Sequence, residues 1–214
     1  MTADDNAVPA TDATKTAPET PDVDTDLPHD DVPGQGAFGP AIDAFDQRVD
    51  ALLAQVRGNP VADKLFTTAS HVGEFSMIWH AISIVRGGAR GRRDQVIVLA
   101  VLIGLESLIV NQGVKRLFKR TRPTTGGDDR LQVRAPTTSS FPSGHSSAAA
   151  FAATMLTAWD GKRWGPVWYS IASVVGVSRA YVRIHHASDV VGGLAVGGLL
   201  GIAGRRLARR LLPF

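Results

Sequence analysis

Cysteine is absent from the 214 residues. Its absence excludes disulfides, thiolate zinc sites, iron–sulfur clusters and cysteine nucleophiles. Lysine is scarce, at 5 of the 23 basic residues, the others being arginine. Basic charge is nearly missing from the first 50 residues, where 12 Asp and Glu face only Lys15 and Arg48, a net −10. The rest of the chain carries the opposite excess, +13. The overall +3 describes neither part. A basic stretch followed by an apolar run is also lacking at the start, so no cleavable signal peptide is expected. Aromatic residues are few, at 7%. The bases sit at the ends of apolar runs rather than on a soluble face, so a nucleic-acid partner is not expected despite a pI near 9.6.

What is present divides into a tail and an apolar remainder. Residues 1–38 are rich in Asp, Thr, Ala and Pro, with few large apolar side chains to offset the entropy of ordering. A disordered acidic tail is expected there, followed by a single domain over 39–214. Ile42, Phe45, Val49, Leu52, Leu53 and Val56 fall on one helical stripe. Asp43, Asp46, Gln47 and Asp50 occupy the other side. A lipid-surface helix usually carries a Lys/Arg-rich polar face. This acidic face predicts a helix packed on the main domain, ended by Gly58 and Pro60.

Val96–Val110 is almost wholly apolar and, with its flanks, approaches the ~20 residues that span a bilayer. Glu106 interrupts it and must face a bundle interior or a headgroup region. Four further apolar runs lie at about 71–86, 145–159, 167–184 and 189–204. Five runs in so short a chain predict an all-α integral membrane bundle of about five spans plus the N-terminal amphipathic helix. Gly193, Gly197 and Gly201 recur every fourth residue, which lets a neighbouring helix approach closely in lipid. Three arginine-rich clusters fall on one side of such a bundle: Arg86–Arg93, Lys162 with Arg163, and Arg205–Arg210. The positive-inside rule makes that side cytoplasmic and the loop 112–144 extracytoplasmic. The loop 112–144 is itself basic and needs another reason for its charge.

That reason is found in three clusters on this second side. In the first, Lys115, Lys119 and Arg122 recur at intervals of 4 and 3, giving one cationic helical face suited to a phosphate dianion or a lipid headgroup. The second is Phe141-Pro-Ser-Gly-His145, directly before a small-residue helix, where free amides point at an anion. The third is Ser178-Arg179, then His185, then Asp189. On a helix, the 4-residue interval places Asp189 beside His185, where a carboxylate holds the tautomer and stabilises the cation. His186, offset by 3, is a neighbour as well, so local spacing leaves both histidines open.

Lys115…Arg122-Pro123, Pro142-Ser-Gly-His145 and Ser178-Arg179…His185…Asp189 match in order and spacing over 75 residues. Together they resemble the signature of the type 2 phosphatidic acid phosphatase superfamily. The resemblance covers about residues 65–205. It implies a helical bundle with its site at a membrane face, and a phosphomonoesterase that uses neither metal nor cofactor. It also implies the roles: His185 is the nucleophile, Asp189 its partner, and His145 the acid. Lys115, Arg122, Ser143, Gly144 and Arg179 hold the phosphoryl oxygens. Phosphoryl transfer asks mainly for positioning and charge stabilisation, which these cations offer. The implied substrate is a lipid phosphate or diphosphate in the plasma membrane of a bacterium, polyprenyl-linked if the Arg/Ala/Gly-rich composition is followed. Rival readings are a lipid phosphotransferase on the same scaffold and a non-catalytic lipid-phosphate binder, which would need none of His145, His185 and Asp189. Vanadate-dependent haloperoxidases share the motifs but are soluble and larger. No protein partner is indicated.

Overall fold

The computed structural model describes residues 33–123, 131 and 138–211. Among these are seven α-helices and no strand: α1 Pro40–Ala54, α2 Pro60–Val72, α3 Met77–Ala89, α4 Arg93–Leu108, α5 Gly144–Asp160, α6 Gly165–Tyr181 and α7 Ala187–Leu211. α5 is the hub. Its small side chains from Ser146 to Leu156 are all buried, so α4, α6 and α7 pack around it at close range. Trp79, Leu99, Leu102, Ile103, Phe151, Met155, Leu156 and Val175 form the main core. The glycine stripe meets α5 directly. A Cβ at Gly197 would collide with the Ser147 backbone, and one at Gly201 would come within 2.7 Å of Thr154 Cβ. Close packing of two backbones is what such stripes permit.

α3 to α7 run between two ends of the bundle. At one end Arg86 Nε donates to Asp160 Oδ1 at 2.6 Å, Arg90 pairs with the same carboxylate, and Arg86 also reaches Gln95 at 2.7 Å. The arginine-rich segments therefore gather at the end opposite the motif residues. Glu106 faces inward, where it accepts a hydrogen bond from Ser147 Oγ. Ile84, Val85, Ile97, Val101, Leu108 and Leu199 remain exposed on the outside of the long helices. Two helical stretches, Arg93–Leu117 and Ala187–Leu211, are each 25 residues and apolar enough to cross a membrane.

Two expectations are corrected. The apolar run 71–86 is not one helix. α2 ends at Val72, a kink with Phe75 and Ser76 at φ 50° and 58° intervenes, and α3 begins at Met77. α2 is started by Asn59, whose side chain accepts from the Val61 and Ala62 amides at 3.0 and 3.2 Å, and by Pro60 at its first position. It lies across the motif end: Ser70 accepts from Arg179 there, and Asp63 accepts from the Tyr181 hydroxyl. The second correction concerns α1. It packs on the domain with its apolar stripe split: Leu53 packs on Tyr181, Val182 and Ile184, and Ile42 and Val49 are half-buried. Asp46 is buried, while Phe45, Leu52 and Val56 of the apolar stripe stay exposed. The hydrogen bonds that Asp46 makes below set this rotation. Residues 33–38, placed by composition in the tail, form a turn whose Phe38 ring packs on Phe118 and Phe141. Residues 1–32 lie outside the described residues.

Candidate active site

The first cluster is positioned by a change of helix type. α4 passes into a π-helical turn, Ile109–Gly113, and then a 3-10 turn, Val114–Leu117. Such turns re-aim side chains relative to a continuous α-helix. Lys115 is thereby buried, with its Nζ 3.8 Å from where a Cβ on Gly144 would stand; Asn111 Oδ1 is 3.2 Å from the same point. Only glycine leaves that space open. From Phe118 the chain is extended. The expected single helical face of Lys115, Lys119 and Arg122 is therefore not formed: Lys119 points outward, whereas Arg120 and Arg122 are buried.

The second cluster opens α5. Ser143 is its N-cap, and its Oγ accepts from the Ser146 amide at 3.4 Å and the Ser146 hydroxyl at 2.9 Å. The Ser143 amide donates to the Asp189 carbonyl at 3.0 Å, tying α5 to α7. Gly144 and His145 fill the first helical positions, whose amides have no acceptor within the helix. His145 Nε2 is buried with no hydrogen-bond partner among the described residues. Its ring is walled by the α2–α3 kink, since a Cβ at Gly73 would lie 3.2 Å from His145 Cδ2.

The third cluster joins the ends of α6 and α7. Arg179 is buried, and its NH1 donates to Ser70 Oγ at 2.5 Å. His185 is not helical. It lies in the turn before α7, anchored by its amide to the Arg179 carbonyl at 3.2 Å. Asp189 sits in the first turn of α7, and the expected helical stacking of His185 on Asp189 is replaced by a cap-like turn. Asp189 Oδ2 accepts the His186 amide at 2.8 Å and lies 3.6 Å from His185 Nδ1. Ser140 bridges that gap: its hydroxyl donates to Asp189 Oδ2 and lies 3.4 Å from His185 Nδ1. The two neighbouring histidines are thus distinguished. His185 presents its ring to Asp189, and His186 only its backbone.

On the far side of the imidazole, Arg122 NH1 lies 3.1 Å from His185 Nε2 and donates to the Ile184 carbonyl at 2.8 Å. Lys115, Arg122, Arg179 and His185 all lie within electrostatic reach of His145. Burial pushes the His185 imidazole down to about 3, against the opposing pull of Asp189. The ring is therefore neutral near pH 7, with Nε2 facing the cations. A cavity of about 360 Å³ lies between α1 and the α6–α7 turn, and His185 and His186 form part of its wall.

Motif spacing singled out Lys115, Arg122, Ser143, Gly144, His145, Arg179, His185 and Asp189, and the fold gathers all eight at one end of the bundle. It adds residues that no motif marked. Arg120 NH1 donates to Asp189 Oδ1 at 2.8 Å, and Arg120 NH2 to Asp46 Oδ2 at 2.7 Å. Ser140, Ser70 and Asn111 are the others. The basic run 115–122 signalled Arg120 only as one cation among several.

Residues 95–212 match the PAP2 superfamily. Phosphatidylglycerophosphatase B of Bacillus subtilis is 29% identical over 173 residues, covering 75% of this chain and 81% of the relative. Decaprenylphosphoryl-5-phosphoribose phosphatase of Mycolicibacterium smegmatis is 30% identical over 146 residues, covering 67% and 77%. The crystal structure of a transmembrane PAP2-type phosphatidylglycerolphosphate phosphatase from Bacillus subtilis superposes with a TM-score of 0.64 at 24% identity, over 82% of this chain and 90% of that one. That likeness concerns the fold. With the matched residues spanning more than half of the sequence and carrying all three clusters, this chain belongs to the PAP2 superfamily.

Proposed function

We propose that this protein is an integral membrane phosphatase that hydrolyses the phosphomonoester or diphosphate of a lipid through a phosphohistidine on His185. The observation that carries the reading is the meeting of a neutral His185 Nε2 with Arg122, within reach of Lys115, Arg179 and His145, at the open start of α5. The names of the relatives, which are phosphatases of phospholipid or polyprenyl substrates, support the lipid class.

The phosphoryl group sits among Lys115, Arg122, Arg179 and the amides of Gly144 and His145, with the remaining Ser143 hydroxyl proton turned to one oxygen. Opposed charge at the equatorial oxygens lowers the barrier. His185 Nε2 attacks phosphorus, forming an N–P bond as the ester P–O bond breaks. His145 gives its proton to the departing lipid oxygen. Asp189 balances the positive imidazole at Nδ1. Water then attacks phosphorus, His145 takes its proton, and the N–P bond breaks to release inorganic phosphate and neutral His185. α3 to α7 lie in the bilayer.

Purified protein in detergent is expected to release phosphate from at least one of phosphatidic acid, phosphatidylglycerol phosphate, a polyprenyl diphosphate and a polyprenyl-phosphoryl sugar phosphate. EDTA should leave the rate unchanged and vanadate should inhibit by mimicking the trigonal phosphoryl group. Loss of activity with EDTA and its return with Mg²⁺ would refute the mechanism.

The active-site end faces away from the cytoplasm in this reading. In the Cys-free chain, a single cysteine placed at exposed Lys119 should react with an impermeant thiol reagent in intact cells, and one at exposed Gly91 should not. The reverse pattern would put the site on the cytoplasmic leaflet.

A further inference from the structure

The mechanism leaves the buried charge cluster beside Asp189 without a task. Asp46 is on α1, 74 residues from Arg120 and 142 from Ser188 in the chain. Its Oδ2 accepts from Arg120 NH2 and from Ser188 Oγ, both at 2.7 Å, and its Oδ1 accepts from the Ser188 amide at 2.7 Å. Arg120 NH1 in turn donates to Ser188 Oγ at 2.7 Å and to Asp189 Oδ1 at 2.8 Å. Asp46, Arg120 and Asp189 are each at most 5% exposed. One side of Asp46 thus satisfies an orphan amide at the start of α7, and the other holds the guanidinium that holds Asp189.

The charge balance gives this arrangement a consequence. A lone arginine on Asp189 would neutralise the carboxylate that must answer the positive imidazole. A second carboxylate on the same guanidinium leaves the trio with one net negative charge, next to His185. Without Asp46 the buried Arg120 would keep Gly34, Ser188 and Asp189 as acceptors, but its NH2 would lose its carboxylate and the guanidinium would be freer to shift.

We infer that Asp46 is a positioning residue, through which α1 fixes Arg120 and the first turn of α7 so that Asp189 stays aimed and charged toward His185. The inference rests on the phosphatase reading above. It makes α1 part of the catalytic apparatus although no residue of α1 touches the reacting atoms.

The test compares full-length wild type with Asp46→Asn, Asp46→Glu, Arg120→Gln, Asp46→Asn/Arg120→Gln and Asp50→Asn. Asp50 ties α1 to Arg57 at 2.6 Å and to Arg183 at 3.1 Å without touching Arg120, so it reports the docking of α1 alone. With a short-chain lipid phosphate, Asp46→Asn should lower kcat at least tenfold with KM within twofold. Asp46→Glu should recover part of the loss, and Asp50→Asn should stay within threefold of wild type. The double variant should be no slower than Arg120→Gln, because both changes break one chain of contacts. If Asp46→Asn does not yield folded protein, Ser188→Ala, which removes the hydroxyl shared by Asp46 and Arg120, is read in its place. The same proteins carrying ¹⁵N-histidine supply a readout that needs no turnover: the His185 Nδ1 resonance should move in Asp46→Asn and not in Asp50→Asn. An unchanged kcat, a loss confined to KM, equal effects of Asp46→Asn and Asp50→Asn, or losses that multiply in the double variant would overturn the inference. A wild type inactive on every lipid phosphate would refute the phosphatase reading, and the resonance would still decide the role of Asp46.

Discussion

His185→Ala is expected to abolish phosphate release from every ester, alkyl or aryl, with a fall of at least ~10³-fold and no phosphoenzyme. His145→Ala should behave differently. An acid matters in proportion to how poor the leaving group is, so loss on an alkyl phosphate should be roughly 10²- to 10⁴-fold. An activated aryl phosphate, whose oxygen leaves without a proton, should still be cleaved measurably. The structure motivates the split. His185 Nε2 faces Arg122 while its Nδ1 side is backed by Ser140 and Asp189, and His145 Nε2 is buried with no hydrogen-bond partner among the described residues. His186, which offers Asp189 only its amide, should tolerate alanine with most activity retained. Activity of His185→Ala on the aryl ester, together with its loss in His145→Ala, would exchange the two roles.

The second large effect lies far from phosphorus. Gly197→Val should separate α5 from α7, because even the first carbon of a side chain there runs into the Ser147 backbone. His145 begins α5 and Asp189 begins α7, joined by the Ser143 amide and the Asp189 carbonyl at 3.0 Å. Moving one helix therefore pulls His145 away from Asp189. Overpacking costs about 1–3 kcal/mol in an adaptable core, and a rigid backbone gives less than a side chain would. Both melting temperature and kcat should drop. A Cβ at Gly198 would meet no atom of the described residues within 4 Å, so Gly198→Ala should leave both unchanged or raise stability slightly. Equal effects at the two glycines would show that helix propensity, not the α5–α7 contact, explains them.

The family and the gathering of the motif residues were readable in the sequence because those residues lie at fixed short intervals within each cluster, and the glycine stripe because small residues at every fourth position have a single geometric meaning on a helix. Features made by distant parts of the chain were not readable. The stripe of Ile42, Phe45, Val49, Leu52, Leu53 and Val56 argues for an apolar face turned inward; Leu53 does pack on the domain, but Phe45, Leu52 and Val56 stay exposed and Asp46 is the residue most deeply buried. Its hydrogen bonds to Arg120 and Ser188 outweigh the hydrophobic pattern, and nothing local to α1 signals those partners. The kink at Gly73–Ser76 was hidden inside an apolar run, since Phe75 and Met77 look like a continuing helix; its conformation depends on positive φ at Phe75 and Ser76. The inward aim of Lys115 depends on the π-helical turn before it, which has no signature in residue type. His185 and Asp189 were paired correctly by number but not by mechanism, because a capped turn and not a helix brings them together.

The most direct test is to trap the intermediate. His145→Ala, combined with His186→Ala to leave one histidine in that peptide, is mixed with an activated phosphate ester and quenched in alkali. The fragment carrying phosphate is then located by mass spectrometry. The expected result is one acid-labile phosphate on the nitrogen of His185, absent when His185 is also replaced. Phosphate on another residue, or transfer from a phosphorus made chiral with oxygen isotopes with the net inversion of a single displacement, would contradict a covalent mechanism at His185.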